Sequence, residues 1–306
     1  MRISGRFKAV LLALLVTFLW STSWVLVKNS IHQIPPLIFA GLRYSIAVLI
    51  LLPVLSRHKA TLAALTRKQW SQLAALGLVF YTLTQGGQFL TLKYLEAIPF
   101  SLILNFTAVV VAVVGIVVLQ EVPSRLQWVG ILVFIVGAAI YFFPISIATG
   151  SIIGFILAGF TVCANAAASL LGRSVNRGKA IPPLVVTVVS MGIGALVLLA
   201  AGLAIDGLPS LSANNWGVII WLAAVNTALA FTLWNKTLQT LSALESSIIN
   251  NTMLIQIALL AWLFLDEQLY PQDVLGLALA SVGILLVNIR PTRVSEAESQ
   301  SRDELD

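Results

Sequence analysis

Two related stretches determine the architecture of this chain: LQEVPSRLQWVGILVFIVGAAI at residues 119–140 and LFLDEQLYPQDVLGLALASVGILL at residues 263–286. Each stretch leaves one apolar run, passes an acidic residue and a proline, and enters a second apolar run. The residues that align at an offset of 146 are glutamates and glycines: Glu121 with Glu267, Gly130 with Gly276, and Gly137 with Gly283. Such pairs do not arise merely from a leucine-rich composition, so the sequence contains an internal repeat.

The repeat extends through most of the chain. Trp70 aligns with Trp216 at the same offset, and the motif Ile-Pro-Pro-Leu at residues 34–37 recurs at 181–184 with an offset of 147. We therefore predict one repeat over residues 1–145 and a second over 146–291. The remaining residues, 292–306, are polar and acidic, which predicts a disordered tail.

The composition excludes an ordinary soluble protein. Of the 306 residues, 59% are hydrophobic and 10% charged, and the mean hydropathy is +0.97. The net charge is +6, but the basic residues form no continuous stripe along the sequence, so nucleic acid is not an expected partner. Membrane lipid is expected instead, because a span needs about 20 apolar residues and ten such runs occur. The predicted spans are residues 9–27, 36–55, 71–92, 98–119, 126–143, 151–171, 184–204, 216–236, 246–265 and 272–290.

Five spans in each repeat predict an inverted topology. An odd number of crossings makes the second copy enter the bilayer upside down relative to the first, as in many secondary transporters. With the N-terminus inside, the inner segments hold 15 of the 18 Lys and Arg residues. This bias predicts that both termini are cytoplasmic. The predicted fold is thus all-α and polytopic, with ten transmembrane helices as two inverted five-helix repeats.

The chain resembles the EamA transporters of the drug/metabolite transporter superfamily. The residues that carry the resemblance are LWSTSW at 19–24, Arg43 in the second span, and the two stretches at 119–140 and 263–286. The resemblance implies a secondary transporter of the bacterial inner membrane. It also implies that a small metabolite, such as an amino acid or a purine, moves mostly outward.

Polar and aromatic side chains within the spans are the candidate substrate-binding residues. Asn105 and Asn251 are repeat equivalents, each expected about 12 Å deep in a core of about 30 Å. The full set expected to bind substrate is Trp20, Trp24, Tyr81, Gln85, Gln88, Asn105, Asn226, Trp234 and Asn251. Amides and aromatic faces suit a flat or amphipathic solute. The alternative is that the amides bond neighbouring helices and that the tryptophans pack there.

Three charged residues are expected to have gating or structural roles. Arg43 is a basic residue well inside a span, where it needs a partner, water or a substrate carboxylate. Glu121 and Glu267 each precede a turn with a proline, and we predict that each caps the N-terminus of the helix that follows it. Lys28 is expected to extend to the interface.

The missing motifs narrow the function. No predicted span contains an Asp or Glu near its middle, which disfavours cationic drugs. The sequence has no HExxH or GxSxG motif and contains a single cysteine. We therefore expect no catalytic activity, no metal site and no cofactor. The predicted function is export of small neutral or zwitterionic metabolites by alternating access. The alternatives are a carrier of nucleotide sugars or other anionic metabolites, and a membrane scaffold that transports nothing.

Overall fold

A computed structural model describes residues 5–119, 121–122, 124–143, 151–177, 181–241, 243–289 and 293–294. Ten long helical segments follow one another along the chain. The uninterrupted ones are α1 (Gly5–Ser30), α2 (Pro36–Leu55), α5 (Arg125–Phe142), α6 (Ser151–Arg177), α7 (Pro183–Asp206), α9 (Ala243–Phe264) and α10 (Pro271–Ile289). The predicted junction at 145/146 lies outside the described residues, as does the predicted tail apart from 293–294.

The other three helical segments are irregular within the span. In α3, the α-helices Arg67–Leu76 and Gly86–Tyr94 flank the π-helical segment Gly77–Gln85. In α8, Ala213–Ala223 and Ala230–Thr237 flank the π-helical segment Ala224–Leu229. In α4, Ala97–Leu104 and Thr107–Leu119 are separate helices. Outside these segments, the chain forms a 3-10 turn (Ser56–His58), a short helix (Lys59–Ala63) and an antiparallel pair of two-residue strands, β1 (Glu121–Val122) and β2 (Arg293–Val294).

The two repeats begin their helices with similar local chemistry. Proline occupies the first position of α2 and of α7, where its missing N–H costs nothing. Thr66 caps α3 by accepting from the backbone N–H of Gln69, and its repeat equivalent Ser212 caps α8 in the same way. Recurring caps place the helix starts at equivalent positions in both repeats.

Packing between equivalent helices establishes the inversion. A Cβ on Gly130 of α5 would lie 2.7 Å from the carbonyl oxygen of Gly283 in α10, and one on Gly137 would lie 2.7 Å from that of Gly276. The contacts thus run forward along α5 and backward along α10, so the two helices are antiparallel. These glycines let the backbones approach closely.

Helices α2 and α7 are antiparallel as well. A Cβ on Gly41 would lie 2.7 Å from the backbone nitrogen of Leu199, and one on Gly202 would lie 2.8 Å from that of Ile38. The remaining contacts exchange in the same manner: α1 packs on α8 and α9, while α6 packs on α3 and α4. The predicted fold is therefore confirmed: ten helices form two inverted five-helix repeats.

The outer surface is apolar and suits a lipid environment. Within the described residues, nine helices are long and apolar enough to cross a membrane; α3 is not one of the nine, and its position between two of them, α2 and α4, makes it the candidate for a tenth. Large side chains such as Leu132, Ile156 and Leu196 are more than 60% exposed on the outside. Phe39, Phe100, Leu198 and Leu222 are buried between the helices. The chain is a multi-pass membrane protein.

Candidate functional site

Two neighbouring cavities lie between the repeats. The first, which we call the aromatic cavity, has a volume of about 240 Å³. Its lining residues are Trp20, Ser23, Trp24, Val27, Arg43, Tyr44, Phe80, Gln85, Gln88, Phe89, Leu92, Leu104, Phe231 and Met253. Ligand cavities typically enclose about 300–1,000 Å³, so this one is suited to a small solute.

The second, which we call the amide cavity, has a volume of about 400 Å³. Its polar lining residues are Ser101, Asn105, Thr107, Asn165, Ser169, Ser247, Asn250, Asn251 and Asn288. Five of these nine side chains are amides, each with both a donor and an acceptor. The amide cavity is therefore neutral and able to hydrogen-bond to many kinds of solute.

Three side chains line both cavities and separate them: Trp24 from α1, Leu104 from α4 and Met253 from α9. We call these three residues the partition. The Trp24 ring packs against Phe100 with ring centroids 5.2 Å apart, which fixes one side of the partition. Met253 is flexible and unbranched, so it can change rotamer when a solute passes.

Helix order shows toward which side of the molecule each cavity lies. We call the side on which α1 begins the terminal side and the opposite side distal. The aromatic cavity is lined by the second halves of α1 and α3, which run toward the distal side. The amide cavity is lined by the first half of α9 and the end of α10, both near the terminal side. Most of the aromatic cavity thus lies toward the distal side and most of the amide cavity toward the terminal side, although Phe231 and Ser101 extend past the middle, and the partition lines both.

Arg43 contributes a positive charge to the aromatic cavity. Its side chain is 6% exposed, and it donates from Nε to Thr227 Oγ1 at 2.9 Å and from Nη1 to Ser23 Oγ at 2.7 Å. These hydroxyls belong to α8 and α1, so Arg43 joins the two repeats. Its Nη2 makes no hydrogen bond to any described residue. The Cζ atom also lies 5.4 Å from the centroid of the Tyr44 ring, and the guanidinium has no anionic partner among the described residues.

Gln85 and Gln88, one helical turn apart on α3, both line the aromatic cavity. Tyr44 donates its hydroxyl to Gln85 Oε1 at 2.7 Å, which orients that amide. The intervening glycines face the other way. A Cβ on Gly86 would lie 2.7 Å from Leu198 Cδ2, so glycine lets α3 press against α7 and point its amides into the cavity.

Trp20 and Trp24 form the aromatic wall of this cavity. The Trp20 ring lies 5.5 Å from Phe231 and 5.2 Å from Trp234, measured between centroids, and the rings are tilted. Trp20 and Trp24 therefore line the cavity and also pack against neighbouring helices, and their binding of a substrate stays a prediction. The flat faces offer apolar contact and attract a cation.

Asn105 lines the amide cavity and accounts for the interruption of α4. Its Nδ2 donates to the carbonyl oxygen of Ser101 at 2.7 Å, which is the oxygen that its own N–H would use in a regular helix. The Asn105 N–H turns instead to Leu102, at 3.2 Å. The side chain thus competes with the helix, and α4 restarts at Thr107.

Asn251 also lines the amide cavity, but α9 continues through it without a break. Its Nδ2 is buried and has no hydrogen-bond partner among the described residues. Asn165, Asn250 and Asn288 were not anticipated as lining residues. Each is an amide within a predicted span, so the criterion that selected Asn105 would have found them.

Three expected binding residues lie in helix contacts and line neither cavity. Tyr81 is buried against Tyr44, with ring centroids 5.4 Å apart. Asn226 is fully buried and donates to the Leu19 carbonyl and, at 3.0 Å, to Thr22 Oγ1. Trp234 packs on Trp20. In all three cases the side chain is packed or hydrogen-bonded against a neighbouring helix, so it cannot contact a solute in either cavity.

Glu267 caps a helix, but not the helix predicted. Its two oxygens accept from the backbone N–H groups of Ala97 at 2.6 Å and Ile98 at 2.8 Å, at the start of α4 in the other repeat. The prediction that Glu267 caps α10 is therefore wrong. At the start of α10, Asp273 is the acidic residue that accepts a backbone hydrogen bond, from the N–H of Tyr270 at 2.8 Å. Burial raises the pKa of Glu267, and the two backbone hydrogen bonds limit the rise. The Glu121 side chain lies outside the described part of the structure.

Lys28 has a related role at the C-terminus of a neighbouring helix. Its Nζ donates to the carbonyl oxygens of Leu92 at 2.8 Å and Leu95 at 2.7 Å, at the end of α3. A cation at a helix C-terminus and an anion at a helix N-terminus both complement the helix dipole. Lys28 and Glu267 thus hold the corner between α3 and α4 from two sides, distal to the aromatic cavity.

The geometry agrees with comparisons to known proteins. The EamA-like transporter family matches residues 7–143 and again 150–289, once for each repeat. The chain is 28% identical over 295 residues to the uncharacterized transporter YvbV of Bacillus subtilis (strain 168), covering 92% of each chain. It is 25% identical over 292 residues to the uncharacterized transporter YoaV of the same organism, covering 91% of this chain and 96% of that one.

A solved crystal structure has a similar fold. It superposes with a TM-score of 0.65 over 98% of this chain and 99% of its own, at 15% identity, which bears on the fold alone. The family match covers nearly all of the chain, and both halves carry it. This chain therefore belongs to the EamA-like transporter family of the drug/metabolite transporter superfamily, and it is a transporter rather than an enzyme.

Proposed function

We propose that the protein is a secondary carrier that exports a small neutral or zwitterionic metabolite, such as an amino acid, across the bacterial inner membrane. In this proposal the solute binds between the two repeats. Rocking of one repeat against the other exposes it first to one side of the membrane and then to the other.

One observation carries the proposal: two cavities lie toward opposite sides of the molecule and share the partition of Trp24, Leu104 and Met253. A carrier needs a solute path that is closed at one point and can open on either side of it. A side chain common to both cavities is positioned to form that closure. A scaffold that transports nothing would need neither cavity.

The chemistry of the walls supports a small solute without a net positive charge. No Asp or Glu is among the described residues that line the cavities. A free cation would therefore enter without a compensating carboxylate, and dehydration would oppose its entry. Amides, hydroxyls and indole rings instead suit a molecule that combines hydrogen-bonding groups with an apolar part.

The positive-inside bias supports a cytoplasmic location for both termini. The amide cavity would then face the cytoplasm and the aromatic cavity the outside. The outward direction of transport rests on the resemblance drawn from the sequence. Loaded vesicles of known orientation test it, since an exporter releases solute preferentially from the terminal side to the distal side.

The experiment that tests the proposal is counterflow with purified protein in liposomes. The vesicles are preloaded in turn with unlabelled amino acids, purines and sugars, and uptake of the same labelled solute is followed. We expect transient accumulation of at least one amino acid, and none in protein-free vesicles. If no solute of any class accumulates, the carrier proposal is wrong.

Arg43 favours one alternative: a carrier of anionic metabolites. Its charge faces the aromatic cavity and has no carboxylate partner among the described lining residues. A nucleotide sugar, however, carries two phosphates and would require more than one cation. A solute with a single anionic group is better matched to this cavity.

A further inference from the structure

We propose that Arg43 is the docking point for a substrate carboxylate, so that every solute the protein binds in the aromatic cavity carries one. This inference rests on the proposed carrier function and narrows it to zwitterionic or monoanionic substrates. Solutes that lack an anionic group are excluded.

The Arg43 guanidinium is buried without an anionic partner among the described residues. Burial of a guanidinium removes it from water, and the loss is compensated only by an anion or by several well-placed acceptors. Arg43 donates from Nε to Thr227 and from Nη1 to Ser23, and its Cζ lies 5.4 Å from the centroid of the Tyr44 ring, so every described partner is neutral. Its Nη2 has no hydrogen-bond partner within the described part of the chain, so one N–H edge of the planar group is open to an anion.

Within the described lining of the two cavities, no second cation competes with Arg43 for a carboxylate. Of the 18 Lys and Arg residues in the sequence, Arg43 is the one found among the described residues that line the two cavities. A carboxylate that enters from the neutral amide cavity would therefore meet its sole fixed countercharge beyond the partition. Arginine is also the side chain best suited to a carboxylate, which it can bind through two parallel hydrogen bonds.

Aromatic rings in the same cavity suit the part of the solute that lies beyond its carboxylate. Trp20, Trp24 and Phe231 present their rings to the same cavity. Aromatic faces hold an apolar side chain, and they attract an ammonium group without a formal negative charge. A carboxylate at Arg43 with an amino group and side chain against these rings is the arrangement that the cavity walls support.

The test compares solutes that share a carbon skeleton. The probes are L-alanine, L-leucine and L-phenylalanine, each with its amide and its decarboxylated amine. Binding to purified protein is followed by thermal unfolding over a range of probe concentrations, and flux is followed by counterflow. We expect at least one amino acid to bind, and its amide and amine to bind about 10- to 100-fold more weakly, as a lost charged hydrogen bond requires.

Variants connect this preference to Arg43. Arg43→Gln should abolish the preference for the carboxylate, while Arg57→Gln, which removes an exposed arginine, should not change it. Should Arg43→Gln fail to fold, Gln88→Glu places a carboxylate in the same cavity and should block binding of the amino acid. Folding of each variant is checked by gel filtration.

The outcomes separate this inference from the carrier proposal. Equal binding of the amide, or a carboxylate preference that survives in Arg43→Gln or Gln88→Glu, overturns the role of Arg43. So does the absence of binding by all three amino acids. If adenine or glucose nevertheless shows counterflow, the carrier proposal stands without the carboxylate site.

Discussion

Repeat 1 (α1–α5) and repeat 2 (α6–α10) carry a π-helical segment at the same place, Gly77–Gln85 in α3 and Ala224–Leu229 in α8. The side chains around these segments nevertheless differ. At an offset of 146, Gln85 aligns with Phe231 and Gln88 with Trp234. Repeat 1 thus supplies amides where repeat 2 supplies aromatic rings.

The charge follows the same division. At the offset of 147 that relates the Pro-Pro motifs, Arg43 aligns with Ser190, whose hydroxyl is buried and donates to the Val186 carbonyl in its own helix. The pseudo-symmetric backbone is what alternating access needs, because the halves can exchange shapes. The unmatched side chains give a solute one preferred orientation. The backbone contacts between the repeats therefore support alternating access, whereas the side chains that line the cavities orient the solute. Mutations in these two regions should have different effects.

The largest effect is expected where the backbones of the repeats meet. Gly137→Val puts a Cβ about 2.5 Å from the Ala280 backbone nitrogen, so α5 and α10 must separate. Overpacking costs about 1–3 kcal/mol where side chains can adjust, and more against backbone. We expect loss of the monodisperse peak in gel filtration. The control is Gly159→Val, since a Cβ at Gly159 has no described atom within 4 Å; equal tolerance of both variants would contradict the packing account.

The next effect concerns the unmatched lining. Gln88→Ala removes a hydrogen-bonding group from the aromatic cavity, which should lower counterflow about tenfold by the usual value of about 1 kcal/mol or more for such a bond. Membrane insertion and the unfolding temperature should hardly change. The matched control is Gln239→Ala, at an exposed amide after α8. Unchanged flux in Gln88→Ala would remove this residue from the site.

A smaller difference is expected between the equivalent amides Asn105 and Asn251. Asn105→Ala frees the Ser101 carbonyl to resume its helical bond, so the break in α4 should close and flux should fall several-fold. Asn251→Ala removes a buried Nδ2 without a partner, so stability should be unchanged or slightly higher. Counterflow and thermal unfolding of both variants measure the contrast. Identical behaviour would show that the break has no role.

The smallest effect is expected at the distal corner. Glu267→Gln keeps one acceptor for the two N–H groups at the start of α4, and losing the other should cost about 1 kcal/mol of unfolding free energy. Thermal unfolding at neutral pH measures this. A variant as stable as the parent would indicate that the cap contributes nothing.

The pH dependence of the same residue has a definite sign. Burial raises the pKa of Glu267 above its ordinary value, so the folded state binds this proton more tightly than the unfolded chain does. Its contribution to stability is therefore greatest below the ordinary glutamate pKa and falls as the pH rises through the raised value. In Glu267→Gln this part of the pH dependence should be absent.

Most of the fold could be predicted from the sequence because lipid imposes simple rules. The predicted span 36–55 coincides with α2, and the others differ from the observed helices by a few residues at each end. The inversion followed from an odd number of spans. The break at Asn105 could not be predicted, because it depends on competition between the side chain and the backbone N–H for the Ser101 carbonyl oxygen. The π-helical segments have no signal of their own in the sequence.

The candidate site was predicted in part. Trp20, Trp24, Gln85, Gln88, Asn105 and Asn251 line a cavity, whereas Tyr81, Asn226 and Trp234 lie in helix contacts. Sequence spacing gives the face of a helix but not the neighbour that covers it. For the same reason the partner of Glu267 was assigned to the adjacent helix, although the fold brings it to α4 in the other repeat.

Accessibility of the two cavities tests the central claim most directly. The sole cysteine, Cys163, is first replaced by Ala, and cysteine is then introduced as Gln88→Cys or Asn250→Cys, with Lys59→Cys and Asp206→Cys as exposed controls. A membrane-impermeant thiol reagent is added to either side of oriented vesicles. We predict reaction of Gln88→Cys from the distal side and of Asn250→Cys from the terminal side, with opposite changes when a transported solute is added. Reaction of both from one side, with or without solute, would contradict a carrier built from two inverted repeats around a closed partition.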